Sequence, residues 1–531
     1  MASYLSNSEM ANSYCSTNTG IDEERLQENL KVEDGNASEH LSIERSASTP
    51  SDEAQNSREN DEKRRFEVTL EPDDPENVME RFSLVYKAYV TVVVTLTTII
   101  ITITSSCWTL ASPHIIDHFH ISREVSILGI SLYIFGMAVG PLLFSPLSEL
   151  YGRKITFICS LMLSVCFQIL TIFSPNIGGM LVGRCLSGFF GSPFLSVAGG
   201  VVSDLYNKAQ IGIPMALYTT APFVGPAIGP LISGALYGHS YRWTFGVMCL
   251  ATGAALLAIT VSVKETYKPI LLIEKARRLR SETGDDRYYA PLERLRQETS
   301  IPRAIAISTS RPFGLLTKDP MILVLCFYTG LVLAIVYMFF VAYPLVFTKL
   351  WHFGTMEVGL SYCGQLAGQI LAAPTVYVFQ QRYAERVKQN NGVRVAEFRF
   401  EPLFYGAFIT PIGLMIFAWT SYSHVHWIGA LIGTGIFGAG VMYVFIGVLG
   451  YIVDAYRLYA ASAVGCNTFV RCIMSGVFPL FTEQMYEGMG INWAIFLLAM
   501  VSVAMIPIPF LFTKYGHALR EKSPYAWDGE D

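Results

Sequence analysis

Charge is what this 531-residue sequence has least of: Asp, Glu, Lys and Arg make up only 15% of it, against 52% hydrophobic residues. A chain of that length and balance lies outside the soluble globular range. The charge is also confined, mostly before Lys87, between Lys264 and Asp319, between Gln380 and Glu401, or after Lys514. Paired cysteines are lacking too. None of the ten cysteines makes a Cys-x-x-Cys, and nine (all but Cys15) fall in apolar segments, where cysteine is a small hydrophobe rather than a metal ligand or disulfide partner. The net charge of −5 comes largely from the first residues and points to no nucleic-acid partner. Nothing suggests a metal, a nucleotide or another cofactor. No polar catalytic cluster stands at an interface, which excludes a membrane enzyme. The polar start has no cleavable-signal pattern, so the first apolar segment is expected to direct insertion. Alternating strands are absent as well, which excludes a β-barrel.

What is present is a series of twelve continuous apolar runs, each about as long as a bilayer core demands. They span Ala88–Leu110, Val125–Phe144, Ile155–Phe173, Ile177–Val202, Ile213–Tyr237 and Trp243–Val263, then Met321–Phe347, Val358–Phe379, Leu403–Thr420, Trp427–Val453, Ala460–Phe481 and Trp493–Phe512. Backbone groups in lipid must be satisfied within their own segment, so the runs are helices. The fold class is an all-α membrane protein of twelve transmembrane helices in two six-helix bundles. Residues 82–263 form the first bundle and 320–513 the second, joined by a cytosolic linker, 264–319. The stretch 1–81, rich in Ser, Glu, Asn and Asp, is expected to be a disordered cytosolic tail, and 514–531 a second, short one. With the N-terminus inside, Arg153, Lys154, Lys208, the linker and the Arg382–Arg399 bases are cytosolic, leaving Arg123, Arg242 and Lys349 outside. Both termini are then cytosolic, and the sequon at Asn36 goes unused. The linker stretch Pro269–Arg280 reads either as a helix along the anionic inner leaflet or as a solvated spacer.

Three motifs carry chemistry. Between the second and third runs stand Glu149, Gly152, Arg153 and Lys154: the glycine permits a tight reversal, and a carboxylate at the membrane edge can make a contact in one state and lose it in another. In the fourth run Arg184 puts a guanidinium among apolar residues, by default a functional-site signal, with Gly188 and Gly191 allowing close helix approach. In the fifth run, Gly225, Pro226, Gly229, Pro230 and Gly234 combine a tight-packing face with bends. Arg471, in the eleventh run, reads evenly as a gating or a packing residue.

These motifs resemble those of the major facilitator superfamily. The Ser145–Lys154 segment is similar to its Gly-x-Leu-Ala-Asp-Arg-x-Gly-Arg-Lys signature, with Ser145, Glu149 and Leu150 as departures. Arg184 corresponds to the fourth-helix arginine that antiporters of the superfamily link to proton coupling. The fifth-run motif resembles the antiporter signature of its exporters. Tyr241–Trp243, Lys264–Pro269, Phe398–Pro402, Tyr459–Ala463 and Phe478–Phe481 narrow the likeness, over residues 82–526, to the fungal twelve-helix drug:proton antiporter family. The resemblance implies two pseudo-symmetric bundles rocking about a central site, export of drugs or other amphipathic or cationic molecules, protons as the driving partner, and no cofactor. It also implies a monomer in the plasma membrane, with the vacuolar membrane second. Import or exchange of polyamines, and a non-transporting nutrient sensor, remain as alternatives. For the central site the candidates are Tyr337, Phe340, Gln365, Gln369, Tyr443 and Asn467, aromatics and amides suited to bulky guests. The proton carrier stays open: Glu149, Asp204 and Asp454 sit near cytosolic ends, and no mid-membrane carboxylate is present.

Overall fold

The computed structural model describes residues 66–70, 74, 77, 82–207, 210–293, 301–390, 392–393, 395–521, 523 and 525–526; side chains at 301–305, 307, 308 and 458 are left aside. Most of the expected tail, 1–81, therefore lies outside the described residues. Val68–Asp531 is one compact unit.

Eleven of the described helices are long and apolar enough to cross a bilayer. The eighth of the twelve expected spans, Thr355–Gln389, is the one that falls short. It is nonetheless a 35-residue helix, inside the bundle and wedged between the fifth and tenth spans. Its apolarity is diluted by Gln365 and Gln369, both buried, and by the charged turn that ends it.

Four spans begin at a polar side chain that caps them, the seventh at Asp319. Ser83, Ser122 and Asn176 accept from backbone N–H groups of the first turn, at 3.3, 3.5 and 2.7 Å, satisfying donors a helix otherwise leaves orphaned. The first span, Leu84–Phe119, breaks at Cys107, and the fourth, Ile177–Leu205, at Ser192 and Val197 around Pro193. The second span, Arg123–Tyr151, ends at Gly152 with φ +100°, a conformation glycine adopts freely. The third, Arg153–Phe173, starts at once.

Helices with tightly opposed backbones set the architecture. The fifth span, Gly212–Ala235, turns Gly225 and Gly229 against the first span. A Cβ on Gly229 would collide with Ser106 Oγ and sit 2.8 Å from the Ile103 carbonyl; one on Gly225 would collide with Thr102 Oγ1. Gly234 faces the eighth span at Gly359. Gly364 and Gly368 seat the eighth span on the tenth, Ile428–Tyr456. Small residues are how helices associate where no hydrophobic drive separates helix from lipid. The largest apolar core joins both bundles, from Trp108 and Phe223 to Tyr337, Phe340 and Phe445. Leu250, Leu257, Val261 and Leu371 stay exposed on the rim, as lipid-facing residues must. Five tryptophans (Trp243, Trp351, Trp419, Trp427 and Trp493) stand at or beside span termini on one side of the bundle, an interfacial belt.

The linker helix Lys268–Thr283 packs Ile273 and Ala276 on Val68 and Ala290, and Lys275 Nζ pairs with Asp74 Oδ2 at 2.6 Å. Part of its apolar side is thus covered by protein. A second linker helix, Ile301–Lys318, lies between the second and eleventh spans: Thr309 Oγ1 donates to the Leu142 carbonyl (3.1 Å), and Phe313 meets Phe469 edge-on.

Candidate functional site

Arg184 is 1% exposed and has every arm of its guanidinium engaged. Nε donates to the Gly129 carbonyl (3.1 Å), Nη1 to Thr104 (2.8 Å) and Nη2 to Ser105 (3.0 Å). Thr104 and Ser105 belong to the last turn before the break at Cys107, where carbonyls lack helical donors. The same cation stands over the rings of Tyr133, Trp108 and Phe245, at 4.4, 5.2 and 5.9 Å. Arg184 is therefore a clamp on the broken first span, and no carboxylate among the described residues pairs with it.

From that clamp a polar chain crosses to the second bundle. Ser105 Oγ donates to the Thr102 carbonyl (2.7 Å), so the hydroxyl contact with Tyr337, at 3.1 Å, is donated by the phenol. Beside Tyr337 a cavity of 20 Å³ is lined by both bundles, including Thr102, Ile134, Phe223, Leu333 and Arg471. That space holds about one water, so the bundles are closed around it. Arg471, 4% exposed, lies over the Phe445 ring at 5.6 Å, with its Nε lacking a hydrogen-bond partner among the described residues. Phe223 packs against Phe445 across the bundles, the rings tilted by 35° and 4.3 Å between centroids.

The expected guest-binding pool does not come together as one cluster. Tyr337 lines the central cavity, and Phe340 packs edge-on against it at 5.0 Å. Gln365 and Gln369 are buried, and neither amide has a partner among the described residues. Asn467 instead donates to Thr329 Oγ1 at 2.7 Å, tying the eleventh span to the seventh. Tyr443 stands apart: its hydroxyl meets Thr375 Oγ1 at 2.7 Å, and its ring lines an open groove of 490 Å³ between the eighth and tenth spans, with Gly368, Leu371 and Ile432.

At the end of the bundle where Gly152 lies, opposite the tryptophan belt, the two bundles repeat one device. In the first, Arg153 donates to Ser148 Oγ (2.7 Å), pairs with Asp204 at 3.5 Å and lies 4.6 Å from the Tyr267 ring. Glu149 lies in the field of Arg153 and Arg311. In the second, Arg399 pairs with Asp454 (2.7 Å), donates to Gln380 (2.9 Å) and lies 3.5 Å from the Tyr383 ring. Arg153 opens the third span and Asp204 lies at the end of the fourth; Arg399 stands just before the ninth and Asp454 lies at the end of the tenth. The devices are thus six spans apart. Burial, then the Glu149 charge, pushes the Tyr267 phenol up to about 12, so it stays neutral. At the opposite end Arg123 Nε meets Glu483 Oε2 at 3.0 Å, joining the second span to the eleventh.

Four participants escaped the sequence. Glu265 accepts from the backbone N–H groups of Arg153 (2.9 Å) and Lys154 (3.0 Å), capping the third span from 112 residues away. The Glu-Thr-Tyr of the linker was its signal. Thr102, Thr104 and Ser105 were foreshadowed only by the hydroxyl-rich run of the first span. Among the described residues no group of His, Cys, Asp and Glu could hold a metal.

Residues 94–479 match the profile of the Major Facilitator Superfamily. The probable drug/proton antiporter YHK8 of Saccharomyces cerevisiae is 59% identical over 493 residues, covering 92% of this chain and 96% of its own. The efflux pump atB of Aspergillus terreus is 42% identical over 73% of this chain and 83% of its own. The multidrug transporter mdrA of Aspergillus fumigatus is 36% identical over 87% and 76%. Among solved structures, the proton:xylose symporter XylE bound to 6-bromo-6-deoxy-D-glucose has a TM-score of 0.58 at 13% identity, covering 82% of this chain and 96% of that one, a likeness of fold alone.

Proposed function

Because this chain belongs to the Major Facilitator Superfamily, we propose that it is a proton-coupled transporter exporting drugs or other small amphipathic molecules by alternating access. The observation that carries this reading is the cavity beside Tyr337 and Arg471, at mid-membrane and walled by both bundles. At 20 Å³ it is too small for a drug-sized guest, so a guest site forms only as the bundles part on one side.

In this reading Arg184 holds the broken first span in register, and rocking is passed to the second bundle through Ser105 and Tyr337. The Gly225–Gly234 motif lets the fifth span slide on the first and eighth without losing its seal. The Arg153 and Arg399 devices latch the cytosolic end, and the Arg123–Glu483 pair latches the outer end. Tyr337, Phe340, Gln365 and Gln369 are the proposed guest contacts. Proton uptake falls to the carboxylates of these latches, the nearest titrating acids to the pathway. Import of polyamines is disfavoured, since a polycation needs carboxylates and none lines the cavity. We further propose residues 82–263 and 320–513 as the moving bodies, with both termini in the cytosol, in a monomer of the plasma membrane. The vacuolar membrane is the second choice. The excess of Lys and Arg at the Arg153 end, opposite the tryptophan belt, supports this sidedness.

The test is accumulation of azoles, antimetabolites and polyamines in deletion and overexpressing cells, with and without a protonophore. Overexpression should lower accumulation of at least one class, and the protonophore should erase the difference. Equal accumulation in both strains across the panel would remove the support for export.

A further inference from the structure

Resting on the export reading, the charge around the central cavity specifies its cargo further. Two guanidiniums approach mid-membrane, Arg184 from the first bundle and Arg471 from the second, with Tyr337 within the field of both. Arg184 is spent on three carbonyls. Arg471 is not: it lines the cavity, and among the described residues its Nε has no hydrogen-bond partner and no carboxylate is in ion-pair reach. Its ionisable neighbours are the phenols of Tyr218 and Tyr337 and the thiols of Cys326 and Cys472, all neutral when protonated. The acids of the membrane body are elsewhere. Glu149, Asp204 and Asp454 sit at the cytosolic end, and Glu483 near the outer end, paired with Arg123.

A buried cation without a counter-charge is costly unless an anion joins it. A cationic guest would add to the repulsion. The remaining walls, among them Phe223, Tyr337, Leu333 and Ile134, are mostly apolar or aromatic and suit a flat hydrophobic body. We propose that the exported guest is an amphipathic organic monoanion whose carboxylate docks on Arg471 as the bundles part, while its apolar body packs on Phe223 and Tyr337. Arg471 is then a specificity determinant, reading charge where the aromatic walls read size.

The experiment uses inside-out vesicles from cells producing the full chain, with an acidic lumen and three labelled probes of one shape: 1-naphthoate, 1-naphthamide and 1-naphthylmethylammonium. Vesicles lacking the protein supply the background. An acidic lumen passively repels the acid and traps the amine, so background-corrected naphthoate uptake reports the transporter. We expect naphthoate to enter about tenfold faster than naphthamide, the margin of one charge-assisted hydrogen bond, and the ammonium to show no corrected uptake. R471Q should bring the naphthoate-to-naphthamide ratio close to one, and R471K should keep part of it. Proton-driven uptake of the amide or ammonium at a rate matching naphthoate overturns the proposal and leaves export standing. So does an unchanged ratio in R471Q. No gradient-driven uptake of any probe overturns both. The wild-type comparison stands whether or not the variants fold.

Discussion

The Tyr337 phenol donates to the Ser105 hydroxyl across the bundle interface, 3.1 Å between oxygens, and the Ser105 carbonyl in turn accepts from Arg184. One residue thus receives a contact from each half of the molecule. A buried hydrogen bond of this kind contributes about 1 kcal/mol. Because it joins the two halves around the cavity, it bears on how the bundles hold together rather than on folding within either one.

S105A and Y337F should each change the export rate by about fivefold, the kinetic equivalent of that 1 kcal/mol. The double variant should be no worse than the more severe single one, since both remove the same bond. Export rates of the four proteins, measured at equal surface abundance, decide it; simple multiplication of the two effects would mean the hydroxyls act independently.

Replacing Arg184 by alanine strands the Thr104 and Ser105 carbonyls at the break in the first span. A buried unpaired carbonyl costs about 1–3 kcal/mol. Export should be lost while the protein still reaches the membrane, because the rest of the bundle keeps its packing. Lysine, a single point donor rather than a planar fork, should restore only a fraction. Full export by R184A, measured beside surface labelling, would remove Arg184 from the mechanism.

Two glycines should respond oppositely to alanine. At Gly229 a new methyl meets Ser106 Oγ and lies 2.8 Å from the Ile103 carbonyl and 3.0 Å from the Cys107 nitrogen, so backbone must move. Overpacking of this kind costs about 1–3 kcal/mol. At Gly253, also helical, nothing lies within 4 Å of the added carbon, and helix propensity favours alanine by up to about 1 kcal/mol. Thermal unfolding in detergent should show G229A melting lower than the parent and G253A at or above it. Equal melting of the two would show that the first and fifth spans are looser than drawn.

The outer latch can be tested by charge. R123E or E483R sets like charges 3.0 Å apart between the second and eleventh spans and should favour the outward-open form. The exchanged pair R123E/E483R should restore closure. Cys472, buried beside the cavity, serves as reporter when it is the sole cysteine. An impermeant thiol reagent applied outside should label it severalfold faster in either single variant than in the exchanged protein. Identical labelling in all three would dissociate the pair from gating.

The spans were legible because burial in lipid writes itself into every residue of a segment. Ile177–Val202 was expected and the helices run Ile177–Leu205; Ala460–Phe481 was expected and the helix continues to Met489. The overrun has a cause. Apolarity ends where the hydrocarbon does, while the hydrogen-bond ladder continues past Glu483 and Glu487 into the headgroup region. The eighth span was expected on the same footing as the others, and it is the least apolar, since it carries two interior amides. Arg184 and Arg471 stood out because a cation in an apolar run has no ordinary explanation. Carbonyl partners for Arg184 were a reading the sequence allowed, but which carbonyls it binds did not stand out. Its acceptors are main-chain carbonyls, which every residue has, and their availability depends on a helix break at Cys107 that no proline marks. Glu265 was hidden for another reason: its partners lie 112 residues back, and only the folded chain brings them together.

The repeated Arg153 and Arg399 devices are unequal in strength. Arg399 holds Asp454 at 2.7 Å, with Tyr383 donating to the same oxygen at 2.6 Å, whereas Arg153 reaches Asp204 only at 3.5 Å. Short charge-assisted bonds are the stronger ones. On the alternating-access reading the molecule is then a lever with one stiff arm and one slack arm. As the mouth at this end widens, flexure should concentrate around the Gly152 reversal while the second bundle swings as a block.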